Sequence, residues 1–244
     1  MISNSQTDSD RFKINVHRGV FNTFKFNYIK EYILLNNPDL LILRFASETI
    51  EQHYLLKELN YNILFTDSLV YYAINLQNIE LKKLKNELFF REVTDETSVA
   101  FKSIIPTIFK DYKNHYFANP ELPKEGIIDG YIEWASAYVN SIDESKKSWL
   151  VYKNEIIIGF ATCSINKIDN SCEGVLYGVL PDYAGGGVYT DIIKFTQNYF
   201  KEQNFEKMYV STQIQNYAVQ KVWQKEGFLI ANAYYTYHLM KIQL

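Results

Sequence analysis

The stretch that most restricts the fold lies near the C-terminus, where Met208, Val210 and Thr212 alternate with Lys207, Tyr209 and Ser211 and so predict a half-buried strand. Asn216, Val219, Val222, Trp223, Lys225, Gly227 and Phe228 follow. Their spacing predicts a helix capped by Asn216, buried along Ala218, Val219 and Val222, and stopped by Gly227 before another strand. Upstream, Gly185-Gly186-Gly187 precedes Val188, Ile192, Phe195 and Tyr199, which share one stripe of a second helix.

Glycines let backbone come close to a bulky anion, and the free N–H groups opening a helix hold negative charge. A glycine triplet opening an amphipathic helix is therefore a candidate phosphate cradle.

The order Val179-Leu180-Pro181-Asp182-Tyr183-Ala184-Gly185-Gly186-Gly187-Val188-Tyr189, together with Asn216 through Phe228, resembles the pyrophosphate loop and final strand-helix-strand of the GNAT acetyltransferases. The resemblance implies a mixed, strongly twisted α/β sheet flanked by helices, with acetyl-CoA as co-substrate. It assigns acetyl-CoA contacts to Val179, Ala184, Gly185, Gly186, Gly187, Val188, Tyr189, Asn216 and Trp223, and polarisation of the acetyl carbonyl to the Val179 N–H. Three positions depart from the family pattern. Ala184 stands where Arg or Gln is usual, Tyr189 where Gly or Ala is usual, and Trp223 where a Tyr commonly serves as general acid. An indole N–H donates but does not titrate usefully, so the acid is left open among Tyr177, Tyr183, Tyr217 and water.

Period two places Glu173 on one face with Val175, Tyr177 and Val179, and its place before Val179 resembles that of the base in some family members. Glu173 is thus a candidate base, with an exposed strand-end carboxylate as the structural alternative. Tyr116, Asn119, Trp134, Thr212, Gln213 and His238 are candidate acceptor contacts, as are His115 and Tyr131. Helix and sheet packing accounts equally well for several of them.

Compared with itself, the chain repeats. Setting Tyr61 over Phe228 brings Leu41-Ile42-Leu43 onto Met208-Tyr209-Val210 and Asn60 onto Gly227 without a gap. Residues 1–85 are expected to form a partial GNAT-like domain without the glycine loop, and residues 86–244 the catalytic domain. Gln77–Glu87 reads as a linker or exposed helix. Within the second domain we expect a strand from Leu88, a helix from an Asp95 cap through Phe109, and a helix from Pro123 to Val139. A hairpin across Lys153-Asn154-Glu155 and a central strand from Cys172 to Val179 complete it.

Asn37 through Arg44, Tyr116 through Pro120, Glu133-Trp134 and Thr212-Gln213 resemble the branch that acetylates dTDP-fucosamine. That resemblance implies a nucleotide-linked amino sugar as acceptor, for surface polysaccharide. Another amine acceptor, or a non-catalytic coenzyme A-binding module, stays open.

A net charge of −3 without a basic run argues against nucleic acid as partner, and no apolar run reaches membrane-span length. A soluble, cytoplasmic monomer or homodimer acting on a small amine is expected. Cys163 and Cys172 are expected as reduced thiols, and the four histidines show no metal-ligand spacing.

Overall fold

The computed structural model describes residues 1–139 and 143–242. Ten strands form one mixed sheet: β1 (Ile2–Asn4), β2 (Val16–Phe21), β3 (Leu40–Ala46), β4 (Tyr61–Asn75), β5 (Phe89–Glu92), β6 (Lys146–Lys153), β7 (Ile156–Asn166), β8 (Ser171–Val179), β9 (Lys207–Gln213) and β10 (Leu229–Lys241). Their order is β1-β2-β3-β10-β4-β9-β8-β7-β6-β5. Among the described residues six α-helices flank it: α1 (Gln6–Phe12), α2 (Phe26–Asn36), α3 (Ser98–Phe109), α4 (Ile127–Ser136), α5 (Val188–Glu202) and α6 (Tyr217–Lys225). Among the described residues no helix is long and apolar enough to cross a membrane.

Each long strand feeds both faces. On β3, Leu41, Leu43 and Phe45 pack with Ile29 of α2 and with Leu56 and Leu59, whereas Leu40 and Ile42 pack with Phe12, Tyr116 and Ile127. Toward the C-terminus, Val188, Ile192 and Phe200 of α5 cover one face with Trp223 of α6, and Phe101, Ile105 and Tyr131 of α3 and α4 cover the other.

The two segments found by self-comparison are strand-helix-strand units that exchange their last strands. Strand β4 lies between β10 and β9, and β10 lies between β3 and β4. Asn60 takes the left-handed conformation (φ 51°), as Gly227 does (φ 90°). Ser47–Leu59, however, is wound as 3₁₀ helix, so the first unit is tighter than an α-helical copy.

The helix after Asn216 ends in paired bonds from Phe228 N–H to Trp223 O (3.0 Å) and from Gly227 N–H to Gln224 O (3.2 Å). Its start differs from expectation, because the Asn216 side chain makes no cap and instead donates from Nδ2 to Thr212 Oγ1 at 3.0 Å. Ala218 is exposed, and the buried positions are Gln220 and Trp223. Helix α3 starts at Ser98 with Thr97 as N-cap, and Asp95 contributes only its carbonyl, which accepts from Ser98. Helix α4 begins later than predicted, after Gly126 in the left-handed region (φ 77°), and ends at Ser136.

The lysine-rich connection is neither helical nor loose. After a short 3₁₀ turn (Leu76–Asn78) it runs along α5. Lys82 N–H donates to Asn198 Oδ1 (2.8 Å), and Lys85 and Asn86 N–H donate to the buried Asp191 carboxylate (2.8 and 2.9 Å). Lys82 Nζ also pairs with Glu226 at 3.0 Å. The hairpin turns at Asn154 and Glu155, both at positive φ, as the sequence predicts. Cys163 and Cys172 are free, buried thiols. Burial pushes the Cys163 thiol up to about 12.

Candidate active site

Strands β8 and β9 run parallel, but they pair only from Ser171–Gly174 to Lys207–Val210. Beyond that they part, since Leu69–Asn75 of β4 keeps β9 from Lys207 to Gln213 while β7 keeps β8 as far as Val179. A wedge opens between the strand ends. A cavity of about 660 Å³ continues from it across the face that carries α1, α3 and α4. That volume falls within the roughly 300–1,000 Å³ typical of small-molecule pockets.

A bulge shapes the wedge. Thr162 faces Leu176 and Cys163 faces Gly174, so Val175 is the extra residue. Val175 and Leu176 therefore both pack on the α3 side, while Tyr177 and Val179 turn to the α5 side with Cys172. This corrects the single face expected for Glu173, Val175, Tyr177 and Val179. Glu173 and Val175 line the cavity, and Val179 does not. Leu180 N–H donates to Ile158 O of β7 at 2.8 Å. The alternation of an extended chain then aims the Val179 N–H away from β7, toward the opened side.

Burial pushes the Glu173 carboxyl above its ordinary range, with the Ser211 hydroxyl and the Arg44 charge pulling the other way. It is thus not the exposed strand-end carboxylate of the alternative. A half-buried carboxylate with raised proton affinity, facing a cavity, has the environment of a general base.

The glycine loop lies at one end of the wedge. Gly185 and Gly187 sit at φ 81° and 90°, and a side chain at Gly185 would meet nothing within 4 Å. Asp191 N–H bonds back to Gly187 O at 3.0 Å. The N–H groups ahead of it open the 15-residue helix α5 without partners inside it. Ala184 and Gly186 are exposed on the loop, Val188 is buried beneath it, and Tyr189 lines the cavity. A Cβ on Gly187 would lie 3.4 Å from Lys85 Cδ and 3.8 Å from Lys85 Nζ. The connection thus brings an ammonium to the loop. Free N–H groups, open space and this cation fit a pyrophosphate of coenzyme A.

Trp223 closes the wedge from α6. Its ring meets Tyr72 edge-on, with centroids 5.5 Å apart, and its Nε1 is buried without a hydrogen-bond partner among the described residues. The Tyr189 hydroxyl lies beside it, held neutral by burial. Asn216, Thr212 and Gln213 line the same cavity, and Tyr112 donates its hydroxyl to Gln213 Oε1.

The acceptor-side candidates divide. Tyr116 lines the cavity and donates to Asp8 Oδ1 at 2.7 Å, and Trp134, 47% exposed, stands at its mouth. Asn119 and His238 are sealed behind the wall. His238 Nε2 meets His115 Nδ1 at 2.8 Å and His238 Nδ1 meets Asn119 Nδ2 at 3.1 Å, which leaves neither ring nitrogen for a ligand. Burial lowers His238 to about 3. The roof is fastened by Arg11, which reaches from α1 to Glu133 of α4 (2.6 Å) and over Gly130, where a Cβ would lie 2.7 Å from Arg11 Cζ.

Sequence reasoning passed over two residues, Lys85 and Arg44. The irregular connection hid Lys85, whereas Arg44 had a signal, since it is the one charged residue in the apolar run Leu40–Ala46.

The chain shares its fold with solved structures of low identity. A conserved protein of unknown function from Staphylococcus epidermidis superimposes with TM-score 0.62 at 16% identity, over 94% of this chain and 85% of that one. A GCN5-related N-acetyltransferase from Kribbella flavida gives 0.62 at 10%, over 99% and 87%. A tandem GNAT protein from the clavulanic acid biosynthesis pathway gives 0.61 at 8%, over 89% and 69%. In sequence, 104 residues are 26% identical to the Drosophila melanogaster protein "Probable N-acetyltransferase san", which is 41% of this chain and 56% of the length of that relative. The family model described as "Acetyltransferase (GNAT) family" matches residues 105–228, from the middle of α3 to the end of the α6 cap. With a match over just over half of its length, and with the wedge and glycine loop inside the matched segment, the chain belongs to the acetyltransferase (GNAT) family.

Proposed function

We propose that the protein transfers an acetyl group from acetyl-CoA to the amine of a nucleotide-linked deoxyamino sugar in the cytoplasm. The observation that carries the reading is Glu173, a half-buried carboxylate of raised proton affinity, on the cavity wall where β8 leaves β9. Acetyl-CoA, the co-substrate of this family, supplies the thioester carbon to be attacked. Gly185, Gly186, Gly187, Val188 and Lys85 would hold its pyrophosphate, and the Val179 N–H would polarise the acetyl oxygen. Glu173 takes a proton from the acceptor ammonium so that the amine can attack.

The aromatic and cationic lining beyond Glu173, with Tyr116, Trp134, Arg18 and Arg44, supports an acceptor that is both ring-shaped and charged. Residues 1–85 are read as a partial domain that has become the acceptor-side wall, in keeping with the similarity to a tandem GNAT protein. A thiol-release assay with acetyl-CoA against dTDP-linked amino sugars, free amino sugars, polyamines and lysine peptides tests the reading. Preference for a polyamine or a lysine peptide would overturn it.

A further inference from the structure

Strand β3 reads Leu40-Leu41-Ile42-Leu43-Arg44-Phe45-Ala46, with one cation among apolar residues. Period two places Arg44 with Leu40 and Ile42 on the face of α1 and α4. The register sets Arg44 opposite Thr236, and Thr236 opposite Asp67. Three polar side chains thus stand in a row across β3, β10 and β4. Arg44 Nε, Thr236 Oγ1 and both Asp67 oxygens are buried and lack a hydrogen-bond partner among the described residues. Of the three, only Arg44 lines the cavity.

Arg18, on the neighbouring strand, lines the cavity as well. Its charge is shared with Asp8 at 3.1 Å, which also takes Arg11 at 3.0 Å. Among the described residues no carboxylate comes within the 4.0 Å of an ion pair to Arg44. Arg18 adds a like charge beside it, and the Asp67 carboxylate, two strands away, offsets this only from beyond ion-pair distance. A half-buried guanidinium whose Nε lacks a hydrogen-bond partner among the described residues is costly, and its planar donor fork matches the two oxygens of a carboxylate or phosphate.

We propose that Arg44, flanked by Arg18, binds an oxyanion carried by the acceptor, so that the acceptor is an amine with a phosphate or carboxylate group. The proposal rests on the reading of this cavity as the acceptor site and names the group recognised there. Glu173, four strands away in the sheet, lines the same cavity and receives the amine.

The test is calorimetric titration of inorganic pyrophosphate, and separately of glutarate, into the full chain saturated with coenzyme A, so that the glycine loop is already occupied. Wild type, Arg44→Gln and Arg44→Lys are compared, with melting temperature and coenzyme A affinity confirming that each variant folds. Wild type should bind at least one anion, Arg44→Gln about tenfold more weakly or worse, and Arg44→Lys in between. Wild type binding neither anion, or Arg44→Gln binding as wild type does, overturns the proposal. Should glutarate alone bind in an Arg44-dependent way, the nucleotide-sugar reading falls and the arginine site stands.

Discussion

Glu173 and Val179 lie on one strand yet face opposite sides of the sheet, because Val175 is bulged between them. The bulge sends the carboxylate into the cavity while the Val179 N–H points to the opened side of the strand. Replacing Glu173 by Gln should lower kcat by roughly 10²–10⁴ at neutral pH and leave acetyl-CoA affinity unchanged. A base of this kind works ionised, and burial raises the Glu173 pKa, so on the proposed role the wild-type rate should climb with pH through that raised value. The acidic limb should vanish in the variant. A Glu173→Gln enzyme with the full rate would remove Glu173 from the chemistry.

At the glycine loop, Gly187→Val sets a β-branched side chain at φ 90° and against Lys85. Acetyl-CoA should bind at least about tenfold more weakly in this variant, and Lys85→Ala should weaken it less, with the loss shrinking at high salt. Calorimetry with acetyl-CoA decides this, and an unchanged dissociation constant for Gly187→Val would mean that the pyrophosphate lies elsewhere.

The buried Trp223 Nε1 has no hydrogen-bond partner among the described residues, so Trp223→Phe removes an unpaired donor and keeps the edge contact with Tyr72. Stability should change by less than about 1.5 kcal/mol, whereas Trp223→Ala should cost about 3–5 kcal/mol. Chemical denaturation measures both. If Trp223→Phe proved inactive with its fold and acetyl-CoA affinity intact, the indole N–H would have a chemical role.

Removal of residues 1–87 would take away β4, the strand that both β9 and β10 pair with. The remaining chain should aggregate, since two strand edges and an apolar face would open together. A soluble and fully active 88–244 fragment would show that the first unit is dispensable.

The His115–His238 pair sets a pH dependence. His238 titrates at about 3 in the folded protein and near 6.5 when unfolded, so between these values the unfolded chain binds the extra proton. Stability is therefore full above about pH 6.5 and falls as the solution is acidified, by on the order of 2 kcal/mol for this group at pH 5. Denaturant melts at pH 7.5 and 5 should show a smaller difference in His238→Gln than in wild type, and an equal difference would mean the ring is already protonated or exposed.

Much of this fold is legible in residue order because its signals are local. Alternation gives the strands, Gly227 and Asn60 give the two left-handed stops, and Gly185 to Gly187 give the helix-opening loop. What escaped depends on partners distant in sequence. The bulge at Val175 exists only against β7, and without it the faces of Glu173 and Val179 come out the same. His238 looks like a ligand contact in sequence, but His115 and Asn119 fill both of its ring positions. The connection near Lys85 has no periodicity to read, because Asn198 and Asp191 hold it from outside. Arg44 is visible as a misplaced charge in an apolar strand, but that no carboxylate among the described residues comes within ion-pair distance of it shows only once the strands are laid side by side.

The most direct test is coenzyme A release from acetyl-CoA in the presence of a dTDP-linked 4-amino-4,6-dideoxy sugar, with the product identified by mass. The expected result is stoichiometric thiol release with a product heavier by one acetyl group, lost in Glu173→Gln, and an acceptor KM raised in Arg44→Gln at similar kcat. Tight acetyl-CoA binding with no acetyl transfer to that sugar or to any other amine in the panel would contradict it and leave a coenzyme A-binding module in its place.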